Sequence, residues 1–260
     1  MKNKSIEYFT SSDFSNFKIL YGFFTRNGGK SKKPFDSLNC SLNPKDNKNI
    51  VIENITLAKK TIGLEKTITK ITKQIHGNHI EIINNNNINR EIIADGSITQ
   101  TKNISLAILT ADCAPIFLVD INNNLICAIH SGWKGCLNNI IFESLIKIKR
   151  INKSLKNVIA IIGPCLNQNN FEVDKSIMYK FIKKNSDYKD FFKQNVINQK
   201  LYFDMRGLIN HQLKESSITN TFHVNKDTYA EKNLFFSHRR AVHNGSIFTG
   251  RMINIIGFKQ

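Results

Sequence analysis

ISLAILTADCAPIFLVDINNNLICAIHSGWKG, residues 104–135, is the stretch on which the fold turns. It holds three short apolar runs, ISLAILTA (104–111), PIFLVD (115–120) and LICAIH (125–130), joined by brief turns that include Asn122–Asn124. Unbroken apolarity over so few residues, bounded by turn residues, reads as buried or hairpin-connected strands. Two of the turns carry a reactive side chain: Cys113 follows the first run and His130 ends the third.

The same grammar extends outward. KILYGFFT (18–25) reads as a first strand, followed by a long Gly-, Pro- and Asn-rich loop to residue 47. Residues 49–62 have helical spacing and stop at Gly63, and TITKITKQIHG (67–77) alternates like a half-buried strand ending at His76. HIEII (79–83) follows as a strand, and NNNNINR (84–90) as a solvated loop. Beyond the centre, CLNNIIFESLIKIKR reads as one helix with Ile140, Ile141, Leu145 and Ile148 on a single face. NVIAIIG is a buried strand. DKSIMYKFIKK and DMRGLINHQLKES are helices opening on Asp174 and Asp204 as N-caps. SITNTFHV and MINIIGF close the chain as strands. No internal repeat or compositional break marks a linker. The expectation is one mixed α/β domain over residues 1–260, with layered sheets, flanking helices and the active site at strand ends.

Bulk properties bound the function. At 260 residues, 41% hydrophobic and mean hydropathy −0.28, the chain can bury a substantial core. No apolar run approaches the ~20 residues of a membrane-spanning helix. MKNKSIEYFT is basic with no apolar stretch behind it, so no signal peptide and a cytoplasmic location are expected. The 37 basic and 20 acidic residues give a net charge of +17, spread along the chain without a basic run or a nucleic-acid module. Such a surface attracts anions weakly and specifies no nucleic-acid partner. The five cysteines, at 40, 113, 127, 136 and 165, form no C-x-x-C pair, which suggests a reduced compartment rather than a disulfide framework.

Three residues carry the chemistry. His76, Cys113 and His130 each stand where an apolar run meets a turn, and two imidazoles with one thiolate suit zinc. Three protein ligands leave a position for water or substrate, which points to a catalytic metal. Their separations of 37 and 17 residues match no short zinc motif. A blue-copper site would need an axial methionine, and the methionines at 1, 178, 205 and 252 are remote in sequence from the three ligands. One zinc per chain is therefore expected ahead of copper. HSGWKGCLNN places a glycine-containing turn before a helix, where backbone N–H groups and Lys134 could receive an anion such as phosphate. Arg26, Arg239 and Arg240 suit bidentate anion binding. Asp112 adjoins the thiolate as a proton acceptor, as a support for a metal-bound histidine, or as a turn residue. Trp133, the only tryptophan, caps the core or walls the pocket.

Taken together, FFTRNGG, SLNCSLN, QIHG, ADGSIT, LAILTADCAPIFLVD, AIHSGWKG, IGPCL, FEVD, YFDMRGLINHQL, FFSHRR and TGR closely resemble the YfiH/laccase-domain family. The family is also described as polyphenol oxidase-like, or as purine nucleoside phosphorylase of the laccase-domain type. The resemblance runs over about residues 17–258. It implies a single α/β domain with zinc held by His76, Cys113 and His130. It further implies phosphorolysis of adenosine, inosine, guanosine and methylthioadenosine, with deamination of adenosine. In the expected chemistry Arg26, Lys134 and Arg239 hold substrate and phosphate, while Asp112 moves a proton beside Cys113. Two alternatives stay open: a zinc hydrolase that edits peptidoglycan precursors, and a non-catalytic binding protein that zinc merely stabilises. Family members commonly carry Cys-Thr at Asp227-Thr228 and tyrosine at His238, so pocket shape and substrate preference are where this chain departs.

Overall fold

The computed structural model describes residues 5–11, 18–42 and 45–259. The basic start of the chain, Met1–Lys4, and Asn43 and Pro44 of the long loop lie outside the described residues.

Strand β1 (Tyr8–Phe9) pairs with β2 (Ile19–Phe24), the strand expected at 18–25. Helix α1 (Lys48–Thr61) opens on Asn47, whose side chain accepts from the amides of Asn49 and Ile50. It ends before Gly63, which takes φ 75°, a value open to glycine at little cost. Strands β3 (Ile68–Ile71), β4 (Ile80–Ile82) and β5 (Gly96–Thr99) follow. Next come the three central strands β6 (Ile104–Thr110), β7 (Ala114–Asp120) and β8 (Leu125–Ser131). The run read as one helix after SGWKG is two, α2 (Trp133–Leu137) and α3 (Ile140–Asn152). Asn139 breaks them apart by taking a left-handed φ of 51° and capping the Phe142 amide. Strand β9 (Val158–Ile162) leads to β10 (Glu172–Val173), helix α4 (Lys175–Lys184), β11 (Phe192–Gln194) and β12 (Leu201–Phe203). Helix α5 (Met205–Glu215), β13 (Thr221–His223), α6 (His238–His243) and β14 (Met252–Phe258) complete the order. Asp204 caps α5 through the Gly207 amide as expected, whereas Asp174 stands at the start of α4 without a capping hydrogen bond from its side chain.

Two large mixed sheets form the body. One runs β1-β2-β14-β6-β3 and the other β13-β9-β7-β8-β5-β4, with β10-β12-β11 as a small third sheet. Strands β7, β8 and β14 are buried at every residue. Their apolar runs divide by alternation: Ile116 and Leu118 face a cluster with Ile141, Leu145 and Leu208 of the helices, while Phe117 and Val119 face Tyr21, Phe23 and Leu106 of the opposite sheet. Phe23 and Phe117 stack across that interface with centroids 4.8 Å apart. The outer face of the first sheet packs Ala107, Ile253 and Ile255 against Ala58 and Ile62 at α1. The layers are therefore helix, sheet, sheet and helices, the mixed α/β architecture expected. Each central strand is covered on both faces, which explains its unbroken apolarity. Among the described residues no helix is long and apolar enough to cross a membrane.

One connection positions the site. Strand β6 belongs to the first sheet, paired with β14 and β3, whereas β7 belongs to the second, paired with β8 and β9. The chain changes sheets within Ala111-Asp112-Cys113, and Asp112 makes the turn at φ 92°. A non-glycine residue held there stores strain of order 1–3 kcal/mol, a feature concentrated at functional sites.

Candidate metal centre

The sheet-switching turn brings Cys113 beside His130, near the end of β8, and His76, in the turn beyond β3. The ligand atoms of these three residues lie within 4.8 Å of one another, the only such cluster among the described residues. The strand expected to run to His76 pairs regularly only to Ile71, with one isolated bridge from Lys73 to Ile93. The reason is a competing partner. The Asp95 carboxylate takes the amides of Ile75 (3.2 Å), His76 (2.9 Å) and Gly77 (2.7 Å), curling this segment and holding His76 at φ 61°. Successive N–H groups converging on one anion form a nest. Just upstream, the Gln74 amide pairs with both backbone groups of Leu109 at 2.8 Å, replacing the lost ladder.

Asp95 also accepts from His130 Nδ1 at 2.8 Å, and the His130 amide donates to the Asp95 carbonyl at 2.7 Å. With Nδ1 so engaged, Nε2 is the ring atom available for a metal, the usual support for a metal-binding histidine. Burial disfavours the Asp95 carboxylate, but bonds from His130 and the Gly77 amide prevail and its pKa falls. Burial likewise opposes ionisation of Cys113, yet the adjoining His130 and His76 bring its pKa down from 9.0 to about 6. His130 responds in kind: burial lowers its pKa, and the Cys113 thiolate and Asp95 raise it to about 9. The other four cysteines are free, buried and shifted upward by that burial. A preformed thiolate between two imidazoles, one braced by a carboxylate, fits a single divalent ion such as zinc. Close quarters enforce small residues: a Cβ on Gly132 would stand 2.9 Å from Cys113 Sγ.

The cluster opens on a cleft of about 830 Å³, within the range of small-molecule sites. Asp112, Trp133, Phe171, His238, Arg239 and Arg251 line it with His76, Cys113 and His130, as does Met205, remote though it is in sequence. Of the expected substrate residues, Arg239 lines the cleft, its guanidinium 5.8 Å from the Phe171 ring and bonded to the Glu172 carbonyl at 2.9 Å. Arg26 and Lys134 are not in the lining. The Arg26 guanidinium bonds the Asp36 carbonyl (2.7 Å), pairs with its carboxylate (3.3 Å) and packs on Phe236, which makes it a brace for the long loop. Lys134 lies with its ammonium 5.6 Å from the Trp133 ring. Arg240 is also internal, bonded to the carbonyls of Thr228 (2.8 Å), Tyr229 (2.7 Å) and Phe235. Asp112 reaches the cleft, but its oxygens accept from the Thr228 hydroxyl (2.7 Å) and the Arg239 amide (2.6 Å). Sequence reasoning missed Asp95, inside ADGSIT, and Arg251, inside TGR. Arg251 lines the cleft, and its guanidinium forms no hydrogen bond or ion pair among the described residues.

Comparison with known proteins gives the arrangement a family. A model described as multi-copper polyphenol oxidoreductase laccase matches residues 20–259. A purine nucleoside phosphorylase of Rickettsia conorii is 32% identical over 250 residues, covering 94% of this chain and 98% of that protein. One from Haemophilus influenzae is 30% identical, covering 93% and 96%. The purine nucleoside phosphorylase YlmD of Bacillus subtilis is 27% identical, covering 98% and 94%. Among solved structures, the hypothetical protein YfiH of Bacillus licheniformis superposes with TM-score 0.89 at 25% identity, covering 99% of this chain and 98% of that one. YlmD from Geobacillus stearothermophilus gives 0.84 at 23%, covering 100% and 98%, a likeness of fold. The family description speaks of several coppers, whereas the described residues offer one three-residue ligand cluster. By its matched length and its relatives, the chain belongs to the YfiH/YlmD-type laccase-domain family, described as multi-copper polyphenol oxidoreductase laccase.

Proposed function

We propose that this protein is a zinc-dependent purine nucleoside phosphorylase acting on adenosine, inosine, guanosine and methylthioadenosine, with adenosine deamination as a second activity. The observation that carries the reading is a single cleft that presents His76, Cys113 and His130 together with Arg239 and Arg251. Relatives named purine nucleoside phosphorylase over nearly the full chain support it. The reading of residues 1–260 as one domain is supported by β14, near the end of the chain, which pairs with both β2 and β6. Five free cysteines suit a cytoplasmic setting.

A zinc ion, which His76, Cys113 and His130 would hold, would supply Lewis acidity to the cleft. The chain's own residues do the rest. Arg251 and Arg239 bind phosphate at the cleft wall and orient it towards the ribose C1′. Trp133 and Phe171 offer apolar faces to a purine and exclude water from it. Asp112, with both oxygens committed, fixes the Arg239 backbone instead of carrying a proton. Asp95 holds the two histidines in their ligating poses.

The test pairs metal content by mass spectrometry with an assay of adenosine and phosphate. The reading expects about one zinc per chain, with adenine or inosine released and both zinc and activity lost in His76→Ala. Zinc without nucleoside turnover would shift the assignment to a wall-precursor hydrolase. A protein that unfolds on metal removal and turns over neither substrate would be a zinc-stabilised binding protein.

A further inference from the structure

We infer that His238 is the proton carrier of the phosphorolysis, taking a proton from bound phosphate and delivering it to the departing purine. The inference rests on the phosphorolysis proposed above. Its ground is placement. His238 is the first residue of α6, directly after the cap Ser237, whose hydroxyl accepts from the Arg240 amide at 3.1 Å. His238 lines the cleft with the three metal-ligand candidates, and the two arginines of the anion wall, Arg239 and Arg251, line the same cleft. The Arg239 amide is bonded to Asp112, the neighbour of Cys113, so the backbone that carries His238 is tied to the sheet-switching turn.

Elimination points the same way. Of the other ionisable groups in the cleft, Asp112 is bonded to Thr228 and Arg239 and His130 to Asp95, while Lys73 and Glu91 form a solvent-exposed ion pair at 3.5 Å. His76 and Cys113 belong to the ligand cluster, and Cys40 is a buried thiol shifted far upward. His238 forms no side-chain hydrogen bond among the described residues. Burial and the charges of Arg251, Arg239 and His76 lower its pKa, against Asp112, which raises it. A neutral imidazole has a nitrogen lone pair free to take up a proton and pass it on, which an imidazolium lacks.

The chemistry balances with one proton. Phosphate binds as the monoanion and passes a proton to His238, which becomes imidazolium. A phosphate oxygen forms a bond to C1′ as the C1′–N9 bond breaks, and the bonding pair goes to the purine. His238 returns its proton to purine N7. The products are ribose 1-phosphate monoanion and neutral base, and the imidazole is restored. No oxidant or further reactant enters.

The experiment compares inosine with 7-methylinosine, whose base leaves neutral without a proton, in wild-type and His238→Gln enzyme of equal metal content. Loss of a general acid costs ~10²–10⁴-fold. The expected result is that the wild-type ratio of kcat for inosine to kcat for 7-methylinosine collapses at least ~100-fold in the variant. Equal losses on both nucleosides would mean a structural or binding role and overturn the inference, as would an unchanged kcat on inosine. A wild-type enzyme inert to both with phosphate would overturn the phosphorolysis reading itself, and this role with it.

Discussion

Asp95 Oδ1 lies 2.8 Å from His130 Nδ1 and 2.9 Å from the His76 amide, so one buried oxygen sets the orientation of two of the three metal-ligand candidates. Its partner oxygen holds the turn around His76 through Ile75 and Gly77. Asp95→Asn keeps the size but must turn an NH₂ towards donors, leaving at least one of these bonds unmade. Loss of such a support lowers metal affinity 10–100-fold. Competition against a chelator checks this, and a variant with unchanged affinity would remove Asp95 from the account.

Gly132 supplies a second, steric test. Its missing side chain leaves room for Cys113 Sγ and for the His76 ring, whose Cδ2 would stand 3.4 Å from a Cβ there. Gly132→Ala forces the thiolate aside, while its φ of −90° suits alanine, so the backbone itself gains no strain. The expected outcome is a protein that folds but binds metal more weakly, seen as lowered occupancy after dialysis with a near-normal circular dichroism spectrum.

The thiolate gives a pH dependence with a definite sign. In the metal-free protein Cys113 stays ionised down to about 6, and His130 keeps its proton up to about 9. Metal binding needs the thiolate and a neutral imidazole. From Cys113 and His130, one proton must leave between those two values as metal enters, and two below the lower one, with any proton on His76 adding to these. Log affinity should therefore fall by at least about one per pH unit from 9 to 6 and more steeply below. Iodoacetamide at neutral pH should alkylate Cys113 first, because burial holds Cys136 at about 12 and Cys165 at about 11. A flat affinity profile, or equal labelling of all five thiols, would contradict this.

The strands were legible where both faces are covered. In β7 and β8 every residue is buried, and the sequence shows that as unbroken apolar runs. The pairing was hidden. A three-residue connection between β6 and β7 looks like a hairpin, yet the two strands lie in different sheets, because partner choice depends on the whole sandwich and not on the turn. The third sheet, with strands of two or three residues, is too short to express a period. In the site, the two histidines and the cysteine stood out because each interrupts an apolar run at a turn. Asp95 stood just before a short strand, and nothing local says that its carboxylate faces three amides. Arginines pose the same problem in reverse. Arg26 and Arg251 carry the same side chain in glycine-bearing turns, and only the packing decides which one faces the cleft.

That distinction can be measured. Arg251 lines the cleft, with no hydrogen bond or ion pair from its guanidinium to any described residue. Arg26 is bonded to Asp36 and stacked on Phe236. A charge-assisted hydrogen bond is worth ~1.5–3 kcal/mol, so Arg251→Ala should raise KM for phosphate by ~10–100-fold and leave the melting temperature nearly unchanged. Arg26→Ala removes a partly buried brace and leaves the Asp36 carbonyl without its donor. It should destabilise the protein by ~1–3 kcal/mol with little effect on KM for phosphate. Phosphate kinetics and thermal melts on the two variants separate the roles. The opposite pattern, with Arg26→Ala raising KM and Arg251→Ala lowering the melting temperature, would place the anion site on the other side of the long loop.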